Sequence, residues 1–347
     1  MSSEKVLAVR FYEANKPLRL EKVDLPSVGD DDVLVDIKAA GICHSELHMI
    51  NGIFAPASPP PITLGHEASG VVESVGKNVK HIEIGDRVGI DYVLSCGTCK
   101  YCLVGKDNLC DNFKVMMVNA DGSWAEKIVV PKRHIHKLPA NLGFPEGAIM
   151  NCAVFTSYHA AKIADLHTGE TTLIYGLGGV GINLVQWAKV FGSTDIIAVD
   201  LEDEKLDLAK RKGATATVNP KNGDPIKQVK DLTGDGVDTA FEVIGLVDTT
   251  RKTMGTVKKG GKVCLVGMCF DNVPISTVND VMTPEIKIMS PQDHVKSEIP
   301  QVIRYIETGR FDLSGVVSHK LPLSEANKGV EMLNKRIGNP VRVVLEP

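Results

Sequence analysis

The sequence predicts an α/β fold in two parts: a doubly wound parallel sheet with crossover helices, and a second region that is mostly β. Three observations predict it. From about residue 154 to 291, apolar runs of strand length alternate with helix-length stretches, the pattern of βαβ units on a parallel sheet. Inside that region Thr171-Thr-Leu-Ile-Tyr175 leads into Gly176, Gly178 and Gly181 and then into residues 182–191, so strand, glycine turn and helix follow in order. Residues 1 to about 150 instead break into short β-branched runs between Gly, Pro and Asp.

Taken in order, residues 6–11, 33–38, 69–75, 87–90 and 126–130 read as strands, and Pro26, Pro56 and Pro59-Pro-Pro61 mark loops. In the α/β region six strands begin at Thr171, Asp195, Thr215, Val237, Lys262 and Ile286. Helices are expected between them, for example over 204–212 and 226–232. In the helix after the glycine turn, Leu184, Ala188 and Phe191 share one face. A helix over 299–308 and a strand over 341–345 remain. Six strands complete a doubly wound sheet, so this tail is expected to rejoin the first region. The expected domains are 1–153 with 292–347, and 154–291.

Composition narrows the function classes. The 347 residues are enough for two domains, and 39 basic against 43 acidic residues give a net charge of −4. No nucleic-acid or membrane partner is expected from that balance. Met-Ser-Ser-Glu-Lys5 lacks the apolar core of a signal peptide, and no run is apolar for about 18 residues. The expectation is a cytoplasmic enzyme with a small-molecule substrate.

The chemistry lies in three constellations. A tight glycine turn before a helix N-terminus lets backbone amides approach a pyrophosphate, and Asp200 stands about 20 residues on, where an acid can bind a ribose. A carboxylate there accepts from the ribose 2′-hydroxyl and repels a 2′-phosphate, and Leu201 is no arginine that could offset it, so NAD is expected over NADP. The second constellation is Cys96-x2-Cys99-x2-Cys102-x7-Cys110, half of the eight cysteines. Disulfides disagree with the expected compartment, and the bacterial iron–sulfur run closes on Cys-Pro whereas Cys110 precedes Asp111. A closed four-cysteine zinc site, structural because no ligand position stays open, is the reading. Lys100, Lys106 and Lys114 would offset its charge. The third set is dispersed: Cys43, His66 with Glu67, and Cys152. Two cysteines and a histidine can hold a catalytic zinc with one position open. On spacing alone the same residues also read as unrelated, since a lone cysteine is usually a small buried hydrophobe.

At these residues the chain resembles the zinc-dependent medium-chain alcohol dehydrogenases of the medium-chain dehydrogenase/reductase superfamily. The resemblance rests on Gly41-Ile-Cys-His-Ser45, Gly65-His-Glu-x2-Gly70, Gly85-Asp-Arg-Val88, the clustered cysteines, Asp121-Gly-x-Trp-Ala-Glu126, Gly176-Leu-Gly-Gly-Val-Gly181 and Gly338-x3-Arg342, in family order almost end to end. It implies a GroES-like catalytic domain around a Rossmann coenzyme domain, with zinc in the cleft. It also implies reversible oxidation of primary or secondary alcohols to aldehydes or ketones with NAD. Cys43, His66 and Cys152 would hold the catalytic zinc, with Glu67 behind it. Ser45 would bond the alcohol and His48 would pass its proton on. His44 and Arg342 would face the pyrophosphate, Thr156 the nicotinamide amide, and Asp200 and Lys205 the ribose, with Gly176, Gly178, Gly179, Val180 and Gly181 in the turn. Val266 and Met268 would line the nicotinamide side. Homotetramers are common among the microbial members, and a dimer is the alternative.

Two stretches depart from the family pattern. Glu46 stands where an aspartate is common, as partner of the zinc histidine. Ile288-Met-Ser-Pro-Gln-Asp-His294 replaces a glycine-rich segment, and Asp293 and His294 read as a solvated loop, with polar pocket contacts as the alternative. The resemblance implies a pocket made by Phe54, Tyr92, Val118 and Met268, apolar and suited to simple alcohols. A polyol or sugar dehydrogenase of the same superfamily is the second reading. A zinc-held nucleotide-binding protein without catalysis is the third.

Overall fold

A computed structural model describes residues 4–347, so the part of the N-terminal reading that rests on residues 1–3 lies outside the described residues. The chain forms two compact units: the chain up to Cys152 together with Val295–Pro347, and Ala153–His294.

The first unit is organised on the long strand Asp32–Ile42. Val33, Leu34, Val35 and Ile37 are buried along it, and its second half, residues 39–42, is buried on both faces. It pairs antiparallel with Ala68–Val75, with Lys127–Pro131 and with the closing strand Val343–Glu346. The last pairing sets Val343 opposite Ile42 and Leu345 opposite Ala40, so the two ends of the chain share one core. The closing strand lies parallel to His319–Pro322, and the helix Ala326–Lys335 makes that crossover, burying Val330 and Leu333. A separate three-stranded sheet carries Lys5–Phe11 between Arg19–Asp24 and Ile62–Thr63.

The second unit is a six-stranded sheet of parallel pairs. Its strands run spatially Ala216–Val218, Asp195–Val199, Thr171–Tyr175, Val237–Glu242, Val257–Leu265, Lys287–Met289. Numbered along the chain this is 3-2-1-4-5-6, the doubly wound order, in which ligands bind at the carboxyl ends where the order reverses. Thr171–Tyr175 is central, and Leu173 and Ile174 are fully buried. The fifth strand starts at Val257 rather than Lys262, because helix Val247–Thr256 runs straight into it and Gly260-Gly261 lies inside it. The helix after the glycine turn starts at Gly179, three residues earlier than its apolar face suggests.

Candidate active site

In the first unit Cys43 follows the long strand and is the N-cap of the short helix His44–Ile50. Glu46 sits at the third helical position and bends back. One of its carboxylate oxygens accepts from the Cys43 backbone N–H at 2.8 Å, and the other lies 2.6 Å from His66 Nδ1. A carboxylate accepts there, so Nδ1 carries the hydrogen and Nε2 is left with a lone pair for a metal. His66 follows Gly65, whose φ of +95° places it where only glycine is comfortable. A Cβ at Gly65 would also strike Trp124, which donates from its indole to Gly41 O at 2.9 Å and fixes the approach of the two ligand segments. Cys152 stands in a π-helical turn, Met150–Val154.

These elements bring Cys43, His66, Glu67 and Cys152 together: all four are buried, and their ligand atoms lie within 4.8 Å of one another. Arg342 closes the set, with Nη2 3.0 Å from Glu67 Oε1 and Nη1 donating to Ile42 O at 3.3 Å. The Arg342–Glu67 contact is an ion pair without hydrogen-bond direction, and both Glu67 oxygens are buried with no hydrogen-bond partner. Burial pushes the Glu67 carboxyl up to about 7, against the pull of Arg342. A hydrogen bond from Cys152 holds the Cys43 thiol well below its usual value, and the same bond together with burial pushes Cys152 up. Burial opposes a charge on His66, yet Glu46 and Cys43 hold its pKa well above the ordinary range. Such a donor set fits a divalent cation: it supplies two sulfurs, one imidazole and a carboxylate short of donors, and its protons would leave on metal uptake.

Ser45 and His48 lie three residues apart on one helix face. Ser45 Oγ is 3.9 Å from Cys43 Sγ. Burial holds the half-buried His48 below its usual pKa, so the ring is neutral near pH 7. Tyr92 meets the His66 ring edge to face at 4.8 Å, and Phe54 and Val118 pack on the neighbouring core.

The clustered cysteines form a second donor set in the same unit. The sulfurs of Cys96, Cys99, Cys102 and Cys110 lie within 4.8 Å of one another. Backbone amides aim at them: Thr98 and Cys99 donate to Cys96 Sγ at 3.5 and 3.4 Å, and Cys96 and Asn112 to Cys110 Sγ, each at 3.3 Å. These bonds, that of Thr98 first, bring the Cys96 thiol down to about 5. The set therefore fits thiolate ligation. Lys100, expected to offset the thiolate charge, lies over the Tyr101 ring.

In the second unit the glycine turn carries out three separate demands. Gly176 has φ +102°, a Cβ at Gly181 would collide with Gly176 O, and Gly178 is an N-cap with no atom within 4 Å of where a Cβ would be. The helix Gly179–Phe191 thus presents first-turn amides with no side chain capping them, a cradle for an anion. Asp200 is fixed beside it, accepting from Leu177 N at 2.8 Å and Glu202 N at 3.0 Å. Lys205 is half-buried in the first turn of the helix Asp203–Lys212. Thr156 Oγ1 is buried without a partner. Val266 and Gly267 donate to Glu242 O, and Met268 is 42% exposed.

Arg342, assigned by resemblance to a pyrophosphate, is buried beside Glu67. One reading changes. His294, expected in a solvated loop, is 1% exposed because the Phe155 ring covers it at 5.2 Å. The contact of Glu46 with His66 was expected, but its second bond, from the Cys43 backbone, was missed, although a glutamate three residues after a helix cap is a sequence signal. For the Arg342–Glu67 contact no local signal exists.

A mostly antiparallel unit holding a sulfur–imidazole–carboxylate donor set and a doubly wound unit with an anion-cradling turn define a metal-binding, dinucleotide-linked class of protein. The comparisons agree. Residues 29–140 match the family model described as Alcohol dehydrogenase GroES-like domain, and residues 179–308 match that described as Zinc-binding dehydrogenase. An alcohol dehydrogenase of Geobacillus stearothermophilus is 36% identical over 296 residues, 85% of this chain and 87% of that one. An L-threonine 3-dehydrogenase of Bacillus subtilis is 31% identical over the full length of both chains. A crystal structure from Sinorhizobium meliloti, described as a zinc-binding dehydrogenase bound to NADP, superposes with a TM-score of 0.90 at 30% identity, covering 99% of this chain and 100% of that one. The chain belongs to the zinc-type medium-chain dehydrogenase/reductase family. It is thus an oxidoreductase with a GroES-like unit and a Rossmann-type unit.

Proposed function

We propose that this protein is an NAD-dependent alcohol dehydrogenase that interconverts primary or secondary alcohols with aldehydes or ketones and holds zinc at both donor sets. The observation that carries the proposal is the buried convergence of Cys43, His66, Glu67 and Cys152 within 4.8 Å. The domain division 1–153 with 292–347 and 154–291 belongs to the same proposal, the first part catalytic and the second binding coenzyme. Cytoplasmic location, a small-molecule substrate and a homotetramer, with a dimer as alternative, complete it. Among the described residues no helix is long and apolar enough to cross a membrane.

Cys43, His66 and Cys152 hold the catalytic zinc, with Glu67 beside it, and Cys96, Cys99, Cys102 and Cys110 hold a structural one. Bound zinc acidifies an oxygen ligand and, in the reverse direction, polarises a carbonyl. The remaining work falls to side chains. Ser45 Oγ accepts the proton of the substrate hydroxyl and hands its own on. His48, neutral near pH 7, takes a proton at a ring nitrogen and delivers it to solvent. Phe54, Tyr92 and Val118 exclude water. The turn Gly176 to Gly181, with Gly178, Gly179 and Val180, binds the pyrophosphate through backbone amides. The unpartnered Thr156 hydroxyl meets the nicotinamide amide, and Val266 and Met268 line the ring. Asp200, anchored through two backbone amides, accepts from the adenosine ribose, and Lys205 supports it. Hydride transfer itself is the chemistry of the nicotinamide. His44 faces the phosphates, and Arg342, buried beside Glu67, is the second basic group assigned to them.

The relative described as an L-threonine 3-dehydrogenase favours a second reading, a dehydrogenase of polar secondary alcohols or polyols. Metal analysis and NADH formation on a panel of simple alcohols, polyols and L-threonine test both. Zinc at each donor set and turnover of simple alcohols are expected. Turnover of polyols or L-threonine alone transfers the assignment to the second reading. Tight NAD binding with no turnover on the panel would falsify catalysis altogether.

A further inference from the structure

We infer that Asn151 is a positioning residue, setting the Cys152 ligand against the strand that follows His66 and Glu67. The inference rests on the zinc-site reading above. The helix Phe144–Ile149 widens into a π-helical turn over Met150–Val154. A π turn interrupts the regular i→i−4 ladder, and side-chain donors commonly serve the carbonyls beside it. The Asn151 side chain is such a donor: Nδ2 lies 2.8 Å from Gly147 O and 3.2 Å from Ala148 O. The same nitrogen lies 2.8 Å from Ala68 O in the neighbouring strand. Its two hydrogens serve three carbonyls, so its donors are fully used.

The two anchor points are each one residue from a ligand. Asn151 precedes Cys152, and Ala68 follows Glu67. The side chain is fully buried, and its Oδ1 has no partner. The three carbonyls therefore fix the orientation of the amide, since a flipped amide would turn its oxygen toward all of them. Gly89 makes room on the oxygen side: a Cβ there would come within 2.9 Å of Asn151 Oδ1. The side chain thus joins the turn that carries one sulfur to the strand next to two other ligands, and an alanine would leave both segments without that tie. Widened turns of this kind are frequent at functional sites, where they re-aim a side chain.

The test loads cobalt(II) into the full-length protein and reads the thiolate-to-cobalt and d–d bands, together with the rate of metal transfer to a chelator. Cys43→Ser identifies the bands of the buried set, and Cys99→Ser those of the cysteine cluster. Asn151→Ala is expected to shift the d–d bands of the buried set and to release its metal about 10- to 100-fold faster, with release from the cluster unchanged. Unchanged bands and release in Asn151→Ala overturn the inference. Should that variant not fold, Asn151→Ser is read in the same way, since a hydroxyl can still donate to the carbonyl four residues back. A smaller shift in the same direction is then expected, and no shift overturns the inference. If the wild type shows no band that Cys43→Ser removes, the zinc-site reading itself fails, and the role of Asn151 fails with it.

Discussion

One buried imidazole, His134, contributes to the acid sensitivity of the first unit. His134 is 2% exposed, and Lys296 Nζ stands 3.1 Å from its Nδ1. An ammonium only donates, so Nδ1 accepts and the ring hydrogen sits on Nε2. Burial first, and then the Lys296 charge, hold the His134 pKa down to about 3, although Asp91 lies 4.0 Å away and pulls the other way. In the unfolded chain the same ring titrates near the ordinary value of about 6.5. The folded value is the lower one, so the unfolded chain takes up the proton first as pH falls. The contribution to stability is complete above about pH 6.5 and is lost progressively toward about pH 3. Between pH 7.5 and 5 the unfolded chain gains roughly 1.5 units' worth of protonation free energy, about 2 kcal/mol at 1.36 kcal/mol per unit. In His134→Gln the amide oxygen can still accept from Lys296 and does not titrate. Urea unfolding of metal-loaded wild type and variant at both pH values isolates the effect, because acid loss of metal is common to both proteins. The variant is expected to lose about 2 kcal/mol less than wild type on acidification. Equal losses would show that the buried ring is not neutral when folded, and would refute the argument.

Asp200→Ser removes the charge that repels a 2′-phosphate and should raise the kcat/KM ratio of NADP to NAD about tenfold or more, equivalent to 1.4 kcal/mol; an unchanged ratio removes Asp200 from cofactor selection. Gly181→Ala places a Cβ inside the radius of Gly176 O and should abolish NADH binding in a fluorescence titration, so wild-type affinity would mean that the turn is not the coenzyme cradle. Cys43→Ser should remove turnover with little change in unfolding midpoint, whereas Cys99→Ser should lower the midpoint and release the cluster metal; equal effects on both properties would collapse the two donor sets into one role.

The legible parts of this chain are those whose partners are close in sequence or repeat with a period. The parallel sheet shows in its β-branched runs, and the cysteine cluster in four sulfurs spread over one short segment. The helix His44–Ile50 did not show, because it is seven residues long and its cap is a cysteine rather than Ser, Thr, Asp or Asn. The early start of the strand at Val257 hid behind Gly260-Gly261, which reads as a turn. The dispersed donor set could be preferred over a reading of unrelated residues only through resemblance. What joins Cys43 to His66 is the carboxylate of Glu46, and what joins Cys152 to the strand after Glu67 is an amide side chain. No periodicity encodes such contacts. His294 was misread for a related reason: it follows Pro291 and Gln292, which read as loop, but burial depends on Phe155, far away in sequence.

The pairing of the chain ends has an electrostatic consequence as well as a topological one. The closing strand sets Val343 opposite Ile42 and thereby brings Arg342 into the donor set, where its guanidinium faces Glu67 at 3.0 Å. A buried carboxylate among sulfurs is costly without a cation, and Arg342 is the cation the fold supplies. A divalent metal ligated by Cys43, His66 and Cys152 would have its charge balanced by the two thiolates, so Glu67 would keep Arg342 as its counter-charge. The pairing of Val343 with Ile42 is thus what keeps the Glu67 carboxylate compensated.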